Sequence, residues 1–279
     1  MFHAPLIAAT PGLELETIVT RDVGPVWERA DELDFVVVAS PNDSHVELAS
    51  AAIDAGLAVV VDKPLAVTAA DARALIDRAD AARVPLTVFH NRRWDSDFLE
   101  VRRLIDSGEL GEVWRFESRF ERWRPEAPEG AWRFSVPRER GGGVLLDLGT
   151  HLVDQALQLF GPAATVHGEV HARRGGPADD DAFIAIEHTS GVLSHLWASE
   201  VAASPGPRMR VQGSKRGFVF EELDGQEAEL RDGKQPSGEW PEFYRRFEAA
   251  LRGEGELPVD PRDAVAVLEV LERVAAASP

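Results

Sequence analysis

The chain has 279 residues, with 30 Lys plus Arg against 48 Asp plus Glu, a formal net charge of −18 and no cysteine. That length accommodates two domains with buried cores. The lack of cysteine excludes disulfides, a thiolate nucleophile and Cys-ligated metal or iron–sulfur centres. So negative a surface repels phosphate backbones and anionic lipid. No apolar stretch reaches the roughly 18 residues of a membrane span, and His3 and Pro5 stand where a signal peptide would carry Lys or Arg. The expectation is a soluble, cytoplasmic protein that binds neither nucleic acid nor membrane.

In chain order, the valine-rich run 35–39 predicts a first strand that ends at Ser40-Pro41-Asn42. Ser44 with Glu47 reads as a capping box opening a helix that closes at Gly56. The second strand, 57–61, is apolar on both faces, as a central parallel strand must be, and ends at Asp62-Lys63-Pro64. Thr68 and Asp71 start another helix, and a third strand at 86–89 ends at His90-Asn91-Arg92. Strands alternating with helices build a parallel sheet whose ligands sit beyond the strands' carboxyl ends. The three strand ends are therefore expected to converge on one crevice. A helix over 97–107 follows, with Phe98, Val101, Leu104 and Ile105 on one face.

After Gly111, Trp114, Phe116, Ser118 and Phe120 alternate with Arg115, Glu117, Arg119 and Glu121, the period of a strand with one solvated or partner-covered face. A second domain is predicted to begin here, dividing the chain into 1–112 and 113–279. Further strands at 165–170, 183–188, 192–200, 209–212 and 218–221 read as one open antiparallel sheet. Helices at 243–251 and after the Asp260-Pro261 cap close the chain. The predicted fold class is α/β, a Rossmann-like parallel-sheet domain incomplete at its N-terminus, joined to an α+β domain with an open, mainly antiparallel sheet.

Lys63, at a strand end between Asp62 and Pro64, is placed where partial burial makes proton exchange near neutral pH feasible; the alternative is an ordinary surface lysine. Asp147 and His151 share a helix face at their spacing, which suits general acid-base work and equally suits an i, i+4 ion pair or a helix cap. They supply two metal ligands with no third at a recognisable spacing, so no metal site is predicted. Trp123, Arg124, Trp132 and Arg133 lie in an aromatic and basic loop that either lines a polyol or carboxylate pocket or anchors itself. His3, His45, His167, His171, His188 and His195 show no ligand-like pattern and read as structural or surface residues.

Ala39-Ser40-Pro41-Asn42 with His45, then Asp62-Lys63-Pro64, His90-Asn91-Arg92-Arg93-Trp94 and Asp147-Leu148-Gly149-Thr150-His151, in this order, resemble the glucose-fructose oxidoreductase, inositol dehydrogenase and MocA (Gfo/Idh/MocA) family. The resemblance runs nearly end to end. It implies a domain binding NADP or NAD and a second domain carrying substrate on one face of its sheet, with a homodimer or homotetramer formed through that sheet. The implied reaction transfers hydride between nicotinamide and a secondary alcohol or ketone of a sugar, inositol or related polyol. By resemblance, Lys63 contacts the reacting hydroxyl and the nicotinamide, His151 moves the hydroxyl proton, and Asp147 is a neighbouring substrate-binding carboxylate. Ser40, Pro41, Asn42 and His45 match the stretch beside the cofactor and Asn91 and Arg92 the segment near the nicotinamide; Asp62 is also expected at the cofactor, and Arg92 with the loop residues Trp123 and Arg124 on the substrate side.

The chain departs from the family's pattern in having no G-x-G-x-x-G turn to cradle pyrophosphate. Met1-Phe2-His3 reads as a point already inside the first helix. Residues 15–19 would then be the second strand, with Thr20 and Arg21 at its cofactor end, where Arg21 favours the 2′-phosphate of NADP. Residues 21–34 suffice for a single short crossover, and 235–240 also reads as abbreviated. Apolar strand edges left in this way are expected either to re-pair or to be covered by another chain. Two functions follow, an NAD(P)-dependent dehydrogenase or reductase, or a non-catalytic or weakly active relative that binds small molecules or partners because the phosphate cradle is missing. A metal-dependent lyase or hydrolase ranks last.

Overall fold

Three consecutive valines, Val59, Val60 and Val61, are wholly buried in the central strand of a three-stranded parallel sheet, where β-branched side chains pack on both faces. The computed structural model that shows this describes residues 2–127, 130–234, 236 and 238–277, so two positions of the abbreviated stretch, 235 and 237, lie outside the described residues. The first half runs α1 (His3–Ala8), α2 (Gly24–Trp27), β1 (Phe35–Val38), α3 (His45–Asp54), β2 (Ala58–Asp62), α4 (Ala69–Ala82), β3 (Leu86–Phe89) and α5 (Ser96–Asp106). The sheet order is β1-β2-β3. α4 begins as its sequence predicts, with the Asp71 amide donating to the Thr68 hydroxyl at 3.1 Å.

Two expectations fail in this half, each for a local reason. Ser44 does not cap α3. Its backbone is already helical, at φ −100° and ψ −5°, whereas a capping residue is extended. The Ser44 hydroxyl donates instead to the Pro41 carbonyl at 2.7 Å. Residues 15–19 form no strand, since they run unpaired while β1 remains a sheet edge. Ile18 is 67% exposed, and re-pairing of the edge within the chain does not occur. Residues 21–34 hold only α2 and a 3-10 turn at Ala30–Glu32, the short crossover expected.

The second half contains β4 (Val113–Glu121), α6 (Trp132–Ser135), a π-helical turn (Leu145–Gly149) running into α7 (Thr150–Phe160), β5 (Ala163–His171), β6 (Asp181–His188), β7 (Leu193–Ser199), β8 (Met209–Gly213), β9 (Gly217–Phe220), α8 (Gln226–Arg231), α9 (Pro241–Leu251) and α10 (Pro261–Ala277). Its six strands take the order β5-β6-β7-β4-β8-β9. The sheet is mixed rather than purely antiparallel, because β4 inserts between β7 and β8 and runs parallel to β7. Alternation in sequence reveals a strand and its faces but not its direction. Phe116, Ser118 and Phe120 are buried on the side facing α7, whereas Trp114 is 48% exposed, turned out by a bulge between Val113 and Arg115. Among the described residues no helix is long and apolar enough to cross a membrane.

Candidate functional site

All three parallel-strand ends reach the helical layer of the second sheet. Beyond β1, Asn42 Nδ2 donates to the Gly141 carbonyl at 2.8 Å. Beyond β2, Lys63 Nζ donates to both the backbone carbonyl and Oδ1 of Asp147, each at 2.7 Å. Beyond β3, Arg93 grips Asp154 with two hydrogen bonds of 2.9 and 2.5 Å, and Arg92 Nη2 donates to Glu227 Oε2 at 2.6 Å. The convergence of the three strand ends expected from strand order is therefore present, and the helical segments of the second half pack against them.

The glycine run before α7 sets the position of Asp147. Gly143 has φ +93° and donates its amide to the Arg133 carbonyl at 2.8 Å, while a Cβ at this position would collide with the Asp179 carboxylate. That carboxylate is occupied, since Asp179 Oδ2 accepts the Leu145 amide at 2.8 Å at the start of the π-helical turn. Gly143→Ala is expected to cost about 2 kcal/mol or more, from the positive φ and the displaced carboxylate together. A thermal melt of the variant checks this; an unchanged midpoint would show that the turn tolerates a side chain.

The π-helical turn also separates the two residues expected to share a face. Its wider turn carries Asp147 away from His151. The Asp147 carboxylate turns to Lys63 and to Arg133, whose Nε stands 3.2 Å away, and no hydrogen bond joins it to His151. The ion-pair reading of Asp147 with His151 is thereby corrected. Burial alone would raise the Asp147 carboxyl, but Lys63 and Arg133 hold it down at about 2. His151 is 6% exposed and its Nδ1 is buried with no hydrogen-bond partner. Burial, reinforced by Lys63, Arg92, His90 and Arg208, lowers it well below the ordinary histidine value, so the imidazole is neutral. A neutral imidazole with a free ring nitrogen beside an ammonium and a carboxylate is equipped to take a proton from a hydroxyl that the ammonium also contacts.

The other expected site residues divide into four groups. Ser40 Oγ bonds Ser44 Oγ at 2.6 Å, Pro41 accepts the Ser44 hydroxyl, and Asp62 Oδ1 accepts the Lys63 amide at 2.9 Å. His45 staples the strand ends together, its two ring nitrogens 2.8 Å from the Pro64 carbonyl and 3.0 Å from the Ser40 carbonyl. These residues form the crevice's near wall. Asn91 is buried beside Arg92. Thr20 and Arg21 are exposed on the unpaired segment, and because 15–19 is not a strand they do not stand at a strand end. Trp123 is 56% exposed and forms an isolated bridge to Val201, and Arg124 Nη1 lies 3.2 Å from Glu200 Oε2.

Several charged residues of the site had no motif to announce them. Arg133, noted only as part of a loop, reaches Asp147. Glu227, in the short helix α8, meets Arg92 from across the crevice. Arg208 is buried, 3.1 Å from Asp97, and donates to Gln155 Oε1 at 2.9 Å. Arg92 and Arg208 stack on Phe120, with guanidinium carbons 4.7 and 4.1 Å from the ring centroid. These contacts pair residues remote in sequence, so no local pattern could have revealed them. A hollow of about 700 Å³ lined by Arg73, Gln158, Asp263 and Glu269 holds none of the expected site residues. It lies against α7 and α10.

Residues 3–90 match an oxidoreductase family with an NAD-binding Rossmann fold, and residues 98–219 match the GFO/IDH/MocA C-terminal domain. The chain is 37% identical to the uncharacterized oxidoreductase YdgJ of Escherichia coli, over 97% of this chain and 90% of that protein. It is 34% identical to the scyllo-inositol 2-dehydrogenase (NADP(+)) IolW of Bacillus subtilis, over 91% of this chain and 75% of that one. The NAD-binding protein from Listeria innocua superposes with a TM-score of 0.88 at 25% identity, covering 99% of this chain and 93% of the other.

Proposed function

For a chain that belongs to the Gfo/Idh/MocA family of NAD(P)-dependent oxidoreductases, we propose a dehydrogenase or reductase acting on a secondary alcohol or ketone of a sugar, inositol or related polyol. The observation that carries the reading is the Lys63–Asp147 ion pair standing beside a buried, neutral His151 whose Nδ1 has no protein partner. An orphaned ring nitrogen is costly unless something completes it, and a substrate hydroxyl does so. The residues therefore fit the reacting end of a nicotinamide cofactor and its substrate. The scyllo-inositol in the name of the relative IolW supports the polyol class.

NAD(P), when bound, accepts or supplies the hydride at the reacting carbon. Ser40, Pro41, Asn42, His45, Asp62, Lys63, Asn91 and Arg92 would hold it along the near wall. Lys63 donates to the reacting oxygen and stabilises charge that develops there. Asp147, kept ionised by Lys63 and Arg133, fixes the ammonium and accepts from a substrate hydroxyl. His151 takes the hydroxyl proton in oxidation and returns it in reduction. The division at 112/113 assigns cofactor to the first unit and substrate to the second. The open face of the six-stranded sheet, where Phe183 and Trp197 lie 5.2 Å apart, would join two copies.

Titration with NADPH and with NADH, followed by nicotinamide fluorescence, tests this reading before any substrate is screened. Binding at about micromolar Kd is expected, with polyol-dependent turnover to follow. Binding of neither cofactor at millimolar concentration would overturn it.

A further inference from the structure

One cation of the crevice is used by nothing above, and the inference drawn from it rests on the polyol reading. Arg122 follows the last residue of β4. Its amide donates to the Ser199 carbonyl at 2.8 Å and its carbonyl accepts from Ala202 at 3.0 Å, so pairing with the segment after β7 continues past the strand. Alternation then places Arg122 on the face of Phe116, Ser118 and Phe120, the face turned to α7, and Trp123 on the opposite one. Beneath it lies Glu200, 2% exposed, with Oε1 3.6 Å from Arg122 Nη1 and Oε2 paired with Arg124, whose Nη1 stands 3.2 Å away without a hydrogen bond. Among the described residues the Arg122 guanidinium donates no hydrogen bond to the protein. A buried carboxylate thus holds an arginine by charge alone and leaves its N–H groups free.

The direction in which those groups act follows from their neighbours. The Arg122 charge bears on both Asp147 and Glu227, helping to hold each carboxyl below its ordinary range against the effect of burial. Lys63 and Arg133 hold Asp147, and Arg92 and Arg231 hold Glu227. Donors and acceptors are therefore both present around Asp147 and Glu227. An anion placed there meets two carboxylates and a cation meets several guanidinium groups, whereas a hydroxyl both donates and accepts.

We propose that Arg122 and Glu227 are specificity-determining residues that bind substrate hydroxyls away from the reacting carbon, Arg122 donating to them and Glu227 accepting from them. Arg122 acts in place of its neighbour Trp123, which faces outward, and Glu227 brings the short helix α8 into the substrate site.

The test is calorimetric titration of the full chain, without cofactor, with scyllo-inositol, myo-inositol, glucose and xylose. The wild type, Arg122→Met, Arg122→Lys and Glu227→Gln are compared, alongside separate NADPH titrations and thermal melts. Arg122→Met is expected to weaken the tightest polyol by about tenfold or more, as loss of a charge-assisted hydrogen bond does, and Arg122→Lys to recover part of that loss. Glu227→Gln is expected to reorder the panel, with NADPH affinity and melting temperature retained in both charge-preserving and isosteric variants. Wild-type affinities in Arg122→Met and Glu227→Gln, or a wild type that binds no polyol of the panel at millimolar concentration, would overturn the assignment. Polyol binding that depends on Arg122 in a chain that binds no NADPH would uphold it and overturn the dehydrogenase reading instead.

Discussion

His151→Ala is expected to lower kcat by about two orders of magnitude or more, and Lys63→Ala to do the same, while both variants keep their fold. The two losses have different origins. The His151 ring makes no hydrogen bond through Nδ1 and packs edge-on against Phe120 with centroids 6.0 Å apart, so its removal leaves a small cavity but no stranded partner. What disappears is the proposed proton acceptor. Removing Lys63 takes away the proposed donor to the reacting oxygen, yet Asp147 is not abandoned, because Arg133 remains 3.2 Å from it. Stability should therefore fall modestly in each case and turnover steeply. Steady-state kinetics with NADP+ and a polyol, paired with thermal melts, separate the two quantities. Unchanged turnover in both variants would remove Lys63 and His151 from the chemistry.

The pH profile adds a sign that a merely structural histidine would not give. Burial and four neighbouring cationic or histidine groups lower His151 well below the ordinary value, so its basic form predominates at neutral pH. Alcohol oxidation needs that form. The His151 limb of kcat/KM should accordingly stay flat as pH falls through about 6.5, the ordinary histidine value, and drop only in more acidic solution.

Local signals predicted what local forces decide. The valine run of β2, the Thr68 cap of α4 and the glycine-punctuated helix ends depend on near neighbours, and they were legible as residues in order. The convergence of Asn42, Lys63 and Arg92 was legible too, since strand order fixes where parallel strands end. The failures come from non-local causes. Residues 15–19 have strand composition but no strand beside them, and Ser44 has cap chemistry but the wrong backbone. Asp147 and His151 have helical spacing, but a π-helical turn lies where regular winding was assumed. The placement of Arg122 was within reach of sequence, because counting parity from Phe116 puts it on the buried face and Trp123 outside. Glu227 gave no such signal, being delivered by a segment far along the chain.

Asp154→Ala is expected to cost about 3–5 kcal/mol, the largest stability loss of any change considered for this protein. Arg93 leaves β3 and Asp154 sits on α7, so their bidentate contact fastens the parallel sheet's end to the second sheet's helical layer. Their side chains are 9% and 3% exposed. Deleting the carboxylate strands a buried guanidinium whose remaining anion, Asp263, accepts a single bond of 2.9 Å from the crevice's outer edge. The cost thus comes mainly from the charge left behind, and Arg93→Met with Asp154→Leu should lose less than Asp154→Ala alone. The pH dependence fixes the mechanism. Burial would raise the Asp154 carboxyl, yet Arg93 and His90 hold it below its ordinary range. A carboxyl lowered on folding contributes stability above its unfolded value, and that contribution is lost as pH falls through the folded one. Urea unfolding at about pH 7 should separate wild type from Asp154→Ala widely, and at about pH 3 the gap should narrow. A gap that stays constant between these conditions would attribute the loss to packing rather than to the buried ion pair.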